Sequence, residues 1–239
     1  MVNVESSQSG EVLTSHRYEA IVGSGMALQL PPVRVARAAL REQGFVIARD
    51  WLPSVVVATL SDAAAAIAAR QAVYATRSAE KNTLDYRVVT GELIKSQAPA
   101  LFALYASWPL LTWIREVTGV ADLTTSPCLR SSININCLTQ PGQHYAWHTD
   151  AVPFTALLFL TTLRASAGGA FLIRSARSGS VIAIQPTRGE LILMDGRRCE
   201  HAVAPLTRRV CRLTVPMVYP AEPVARPRGL DHYRYDAQP

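Results

Sequence analysis

The run HYAWHTDAVPF, from His144 to Phe154, carries a histidine and an aspartate one residue apart, His148 and Asp150, in a chain with five histidines. In extended backbone, residues i and i+2 face the same way, so both side chains can reach one ion. A third ligand is offered by CEHAVAPL, where His201 sits in a strand-like run. Two imidazoles and one carboxylate on one side of a metal leave the opposite side open, the donor pattern of non-haem iron(II) sites that activate oxygen. By itself the tripeptide is a weak signal, because two polar residues can be neighbours without sharing an ion.

A second constellation adds weight. RLTVPMVY puts Arg212 and Thr214 on one face of a strand and Leu213, Val215 and Met217 on the other. A guanidinium fork and a hydroxyl projecting into an apolar interior form a carboxylate receptor, since guanidinium pairs with carboxylate through two parallel hydrogen bonds and stays charged when buried. The competing reading is a surface arginine on a strand whose apolar row faces inward.

These residues need a scaffold. PPVRVARAALREQGFVIARDWLP spaces Val33, Val35, Ala36, Ala39 and Leu40 for a helix, sets Gly44 to end it, and continues into a short strand at Phe45–Ala48. The alanine-rich stretch SVVVATLSDAAAAIAARQAVYA predicts a second helix, and PALFALYASWPLLTWIREVTG two more, broken at Pro109 and closed at Gly119. From Cys128 onward the pattern changes to short β-rich runs: SSININCL, FTALLFLTTL, GGAFLIRS, GSVIAIQP, GELILMD, HAVAPL and VCRLTVPMVY. Such strands, parted by Gly, Pro and polar turns, predict a sandwich or jelly roll. The expected organisation is one domain over 1–239, mainly β with flanking helices (α+β). It has a helical part at about 31–120, a jelly-roll core at about 128–220 and a tail at 221–239. The tail holds His232, Tyr233 and Tyr235, which suit either a lid over the barrel mouth or a loose terminus.

In that order along the chain, the motifs resemble the Fe(II)/2-oxoglutarate-dependent oxygenases, of the phytanoyl-CoA hydroxylase-like or prolyl-hydroxylase-like branch. LREQGFVIARDWLP is similar to the helix–strand opening of the former. QPGQHYAWHTD resembles the Pro-Gly turn into the first metal strand, GGAFLI the Gly-Gly strand, and GELILMDGRRCEHAVAPL the strand running to the distal histidine. RLTV resembles the Arg-x-Ser/Thr pair. The resemblance implies a double-stranded β-helix (jelly roll, cupin-like), Fe(II) held by His148, Asp150 and His201, and the distal carboxylate of 2-oxoglutarate held by Arg212 and Thr214. Arg209 is the reserve for that carboxylate. The implied chemistry couples oxidative decarboxylation of 2-oxoglutarate, with O2, to hydrogen abstraction from an unactivated C–H bond, giving succinate and CO2. A carboxylate at position 150 leaves no place for chloride and favours hydroxylation over halogenation. Desaturation and cyclisation remain open outcomes.

For the substrate, Ser132, Asn134 and Asn136 share one face of SSININCL and suit either a pocket wall or a solvated face. Trp147 is a candidate wall, and Arg130 and Arg87 are candidates for an anionic group on the substrate; each also fits an ordinary structural role. His144, four residues before His148, reads as a loop residue.

Totals narrow the class. A 239-residue chain that is 49% hydrophobic can bury a large core. Its net charge of +6 and pI of about 9.4 come from scattered arginines, which argues against nucleic acid as a partner. Cys128, Cys137, Cys199 and Cys211 form no Cys-x-x-Cys pair, the first residues lack the basic start and apolar core of a signal peptide, and no apolar run is long enough for a membrane span. The expectation is a cytoplasmic hydroxylase of a small polar metabolite, an amino acid or a natural-product intermediate. A nucleic-acid demethylase of the same superfamily and a non-catalytic jelly-roll binding protein are the alternatives.

Overall fold

Alternation of apolar residues along the second half of the chain produces two antiparallel sheets in the computed structural model, which describes residues 28–74, 86–126 and 128–221. The helices are α1 (Val33–Gln43), α2 (Ser54–Gln71), α3 (Gly91–Gln97), α4 (Pro99–Tyr105), α5 (Trp108–Thr118) and the single turn α6 (Leu129–Ser132). The strands are β1 (Phe45–Ala48), β2 (Val73–Tyr74), β3 (Arg87–Val89), β4 (Ile135–Leu138), β5 (Tyr145–His148) and β6 (Phe154–Phe159), followed by β7 (Phe171–Arg174), β8 (Val181–Ile184), β9 (Leu191–Asp195), β10 (His201–Val203) and β11 (Arg212–Tyr219). A seven-stranded sheet runs β1-β9-β6-β11-β4-β3-β2, and a four-stranded sheet runs β5-β10-β7-β8. Strands β4 to β11 divide between the two sheets as a double-stranded β-helix, and β1 to β3 extend the larger one.

The pleat separates two cores. Ala156, Leu158, Leu191, Leu193, Leu213, Val215 and Met217 pack against the helices. Their alternates Leu157, Phe159, Ile192 and Met194 join Phe171, Ile173 and Val203 between the sheets. Period-2 alternation thus gives each central strand one row toward the helical layer and one toward the barrel interior.

Local chemistry explains the boundaries. Gly44 ends α1 at φ 85°, its N–H returning to the Leu40 carbonyl. There is no room for a side chain at this turn, since a Cβ on Gly44 would lie 2.1 Å from Cys199 Sγ. Trp51, wholly buried behind the sheet, donates its indole N–H to the Gly189 carbonyl at 2.7 Å and ties the β1–α2 link to the start of β9.

Three sequence expectations change. The α4–α5 break falls at Ala106–Ser107, and Pro109 sits in the first turn of α5, where its missing N–H costs nothing. Helix α2 stops at Gln71, and Val73–Tyr74 then pairs with β3, whose Arg87 donates twice to the Ala72 carbonyl. SSININCL is not one strand: it is helical through Ser132, bridged at Ile133 and regular only from Ile135. Pro216 supplies the reason. Its carbonyl accepts from Asn134 N–H on the β4 side, so its missing N–H falls on that side too, and the β4–β11 ladder covers only residues 212–214 of β11. No helix among the described residues is long and apolar enough to cross a membrane.

Candidate functional site

Neighbouring strands of the small sheet bring the two histidines together. His201 on β10 is registered opposite His148 on β5 and Ile173 on β7, and the imidazole centroids lie 4.2 Å apart. Asp150 lies in the loop after β5, where its N–H donates to the Gly196 carbonyl at 2.7 Å. Ligand atoms of His148, Asp150 and His201 all fall within 4.8 Å of one another. His201 Nε2 is 3.7 Å from Asp150 Oδ1.

Both rings are set for ligation by the backbone. His148 Nδ1 is 2.8 Å from the Ala146 carbonyl, and His201 Nδ1 is 3.0 Å from that of Cys199. A carbonyl only accepts, so each Nδ1 carries the proton and each Nε2 keeps its lone pair for a metal. Two imidazoles and a carboxylate gathered on one side suit a divalent first-row ion such as Fe(II).

Deeper in the barrel, Arg212 is 1% exposed and Thr214 2%. The Arg212 Nε–H donates to the Gly169 carbonyl at 2.8 Å, and Nη1 lies 3.5 Å from Thr214 Oγ1. Its buried Nη2 has no hydrogen-bond partner among the described residues. Burial pulls the guanidinium pKa down to about 10, against an upward push from Tyr145, so it is cationic at neutral pH. A buried cation with unused N–H capacity and a hydroxyl beside it calls for an anionic oxygen ligand. Gly169, at φ 70°, allows the close approach: a Cβ there would stand 2.7 Å from Leu206 Cδ2 and 3.2 Å from Arg212 Cδ. Aromatic rings link the two ends of the site, with Phe171 5.6 Å from His201, Phe159 6.3 Å from Phe171, and the Arg212 guanidinium 5.8 Å from the Phe159 centroid.

The other candidates separate cleanly. Asn136 is registered opposite Thr214 and Val88, so it shares the inward face of Arg212 and Thr214; Asn134 follows two residues earlier, 6% exposed. Ser132 belongs to α6, and Arg130 is half-buried in the same turn. Trp147 is a correction: as the neighbour of an inward-facing strand residue it points outward, 38% exposed, with the Arg174 guanidinium 5.1 Å from its ring. Arg87 is another, since it is registered with Cys137 on the helix-facing side and spends its N–H groups on the Ala72 carbonyl. His144 is a loop residue with Nδ1 2.9 Å from the Gly142 carbonyl. Arg208 and Arg209 are exposed, and Arg208 bonds the Ser166 hydroxyl. The tail with His232, Tyr233 and Tyr235 lies outside the described residues.

Three residues passed over in the sequence belong to this neighbourhood. Thr155 donates to Asp150 Oδ2 at 2.7 Å, Gly196 borders the same carboxylate, and the Tyr145 ring packs at a tilt against that of Tyr86, with centroids 4.4 Å apart. Thr155 was detectable as the one hydroxyl in the alternate row Thr155, Leu157, Phe159. Gly196 and Tyr145 leave no such trace.

The fold is that of solved 2OG-Fe(II) oxygenases. The family model described as Halogenase D matches residues 31–232, and the chain belongs to that family. A search of curated proteins found no match. Among solved structures, the chain is similar to the epimerase SnoN in complex with Fe3+, alpha ketoglutarate and nogalamycin RO (TM-score 0.66, 15% identity, 87% of this chain and 90% of that one). It is also similar to EctD from S. alaskensis with 2-oxoglutarate and 5-hydroxyectoine (0.64, 16%, 88% and 86%). A third is the prolyl hydroxylase from Trichoplax adhaerens in complex with a hypoxia inducible factor peptide (0.63, 15%, 90% and 93%).

Proposed function

We propose that this protein is an Fe(II)- and 2-oxoglutarate-dependent oxygenase that hydroxylates an unactivated C–H bond of a small polar metabolite, an amino acid or a natural-product intermediate, releasing succinate and CO2. The observation that carries the reading is the pairing, in one barrel, of the His148–Asp150–His201 cluster with a buried guanidinium that has an unused N–H. 2-Oxoglutarate matches both ends: a keto-acid group for the metal and a distal carboxylate for Arg212 and Thr214. When bound, the iron supplies oxygen activation. The chain's own residues do the rest. His148, Asp150 and His201 hold the metal, Arg212 and Thr214 orient the cosubstrate, and the aromatic row between them excludes water.

Although the family model is named for a halogenase, hydroxylation is the reading for this chain, because Asp150 occupies the third protein position with a carboxylate. Asn134 and Asn136, on the face of Thr214, are the groups assigned to a polar substrate, since both amides stand on the inward face that carries the carboxylate receptor. Three similar structures hold a hypoxia inducible factor peptide, nogalamycin RO and 5-hydroxyectoine, so the fold accommodates varied ligands. Four free thiols fit a cytoplasmic setting.

The test is twofold. Anaerobic addition of Fe(II) and 2-oxoglutarate is expected to give a visible charge-transfer band. Succinate release is then measured with free amino acids, carrier-tethered amino acids, fatty acyl thioesters and methylated oligonucleotides. Coupled turnover with amino acids is expected, with a hydroxylated product even in the presence of chloride. Coupling with only the acyl thioesters or the oligonucleotides would overturn the substrate class, and absence of the band would overturn the cofactor assignment.

A further inference from the structure

The inner row of β6 is Thr155, Leu157, Phe159, and its two apolar members fill the core between the sheets. Thr155 is 3% exposed and sits opposite Met194 on β9 and Val218 on β11. A buried hydroxyl in such a row needs a partner, and this one donates to Asp150 Oδ2 at 2.7 Å. The other carboxylate oxygen, Oδ1, is the one beside His201 Nε2. Around the same group, Gly196 accepts from Asp150 N–H and donates its own N–H to the Pro153 carbonyl at 2.8 Å. A Cβ on Gly196 would lie 2.5 Å from Asp150 Oδ2 and 2.9 Å from its Cγ. Residue 196 must therefore lack a side chain for the carboxylate to stay where it is.

We propose that Thr155 is a positioning residue for the metal site, acting through Asp150, and that Gly196 provides the space its carboxylate occupies. This rests on the metal-site reading given above. A carboxylate can offer a metal one oxygen or both. With Oδ2 engaged by the Thr155 hydroxyl, Asp150 presents Oδ1 alone, and the chain uses three of the roughly six positions of an octahedral ion. The rest stay open for a chelating cosubstrate and oxygen. A freed carboxylate would rotate, take a second position or leave the cluster, and each outcome alters metal affinity and ligand field.

The experiment uses the full-length, metal-free protein and Co(II) as probe, followed by its d–d absorption, with thermal melting as a check on folding. Thr155→Val, which keeps the shape and removes the hydroxyl, is expected to melt near the wild-type temperature and bind Co(II) about tenfold or more weakly, with altered d–d bands. Thr155→Ser, which restores the donor, is expected to recover both affinity and spectrum. Gly196→Ala is expected to weaken Co(II) as Thr155→Val does. Wild-type affinity and an unchanged spectrum in Thr155→Val would overturn the inference while leaving the metal site standing. Failure of the wild-type chain itself to bind Co(II) would overturn the metal site and this inference with it.

Discussion

His148 and His201 are direct cross-strand partners on β5 and β10, and each ring is oriented by a hydrogen bond from Nδ1 to a carbonyl two residues before it in the chain. Backbone carbonyls of the sheet thus support both ring orientations. Replacing either ring removes one of three protein ligands from a rigid frame. His148→Ala or His201→Ala is expected to abolish Fe(II) binding and turnover while the circular dichroism spectrum stays that of the wild type. Near-normal turnover in either variant would take that residue out of the metal site.

Arg212 carries the only cosubstrate assignment that rests on a buried charge. Arg212→Ala is expected to raise the 2-oxoglutarate concentration needed for half-maximal turnover about 100-fold, the equivalent of ~3 kcal/mol for a lost buried carboxylate partner. Arg209→Ala, a change at an exposed position, is expected to leave it within about twofold. An exchange of the two phenotypes would move the receptor out of the barrel.

Stability and metal binding are expected to separate at Trp51. Its indole N–H satisfies the Gly189 carbonyl in the helix-side core. Trp51→Phe leaves that carbonyl without its donor, at a cost of about 1–3 kcal/mol. The melting temperature should fall by roughly 2–4 °C per kcal/mol, with Co(II) affinity unchanged. Loss of metal affinity in this variant would show that the helical layer controls the cluster directly.

Cys211 is exposed and accepts a hydrogen bond from the buried Cys137 thiol, which pulls its pKa down to about 7 against the opposing effect of burial. The same hydrogen bond, followed by burial, pushes Cys137 up. A lowered thiol pKa means that thiolate, the nucleophilic form, is populated above about pH 7 and lost below it. The rate of Cys211 alkylation by iodoacetamide, read by peptide mass spectrometry, is expected to rise through that pH. In Cys137→Ala the inflection should return toward 9, the ordinary value. An inflection near 9 in the native chain would refute the thiol pair.

Much of this was legible from periodicity. The helix-to-strand opening at Gly44, most barrel strands, the His-x-Asp with its distal histidine, and the Arg212–Thr214 row all follow from spacing that matches a helix or a pleat. Where the expectation failed, a nonlocal partner decided. SSININCL alternates well enough for a strand, but a proline on a different strand, Pro216, interrupts its ladder. Trp147 could have been excluded by the pleat itself, since the neighbour of an inward His148 faces outward. For Arg87 the choice between an anionic group and a structural role stayed open because the carbonyl it serves, that of Ala72, is 15 residues away in the chain. Gly196 is silent in sequence, for its role is to leave space beside an aspartate 46 residues away.

The alternation on β11 also bears on how such a chain can diverge. Substitutions on the inward row, at Arg212 or Thr214, and on the helix-facing row, at Leu213, Val215 or Met217, act on separate environments and can accumulate independently. An insertion or deletion of one residue within β11 is different in kind. It would exchange the rows, turning the guanidinium toward the helices and leucine and valine toward the cosubstrate. Changes of length are therefore expected to survive in exposed reversals such as 176–180 between β7 and β8, while the reading frame of β11 is inherited intact.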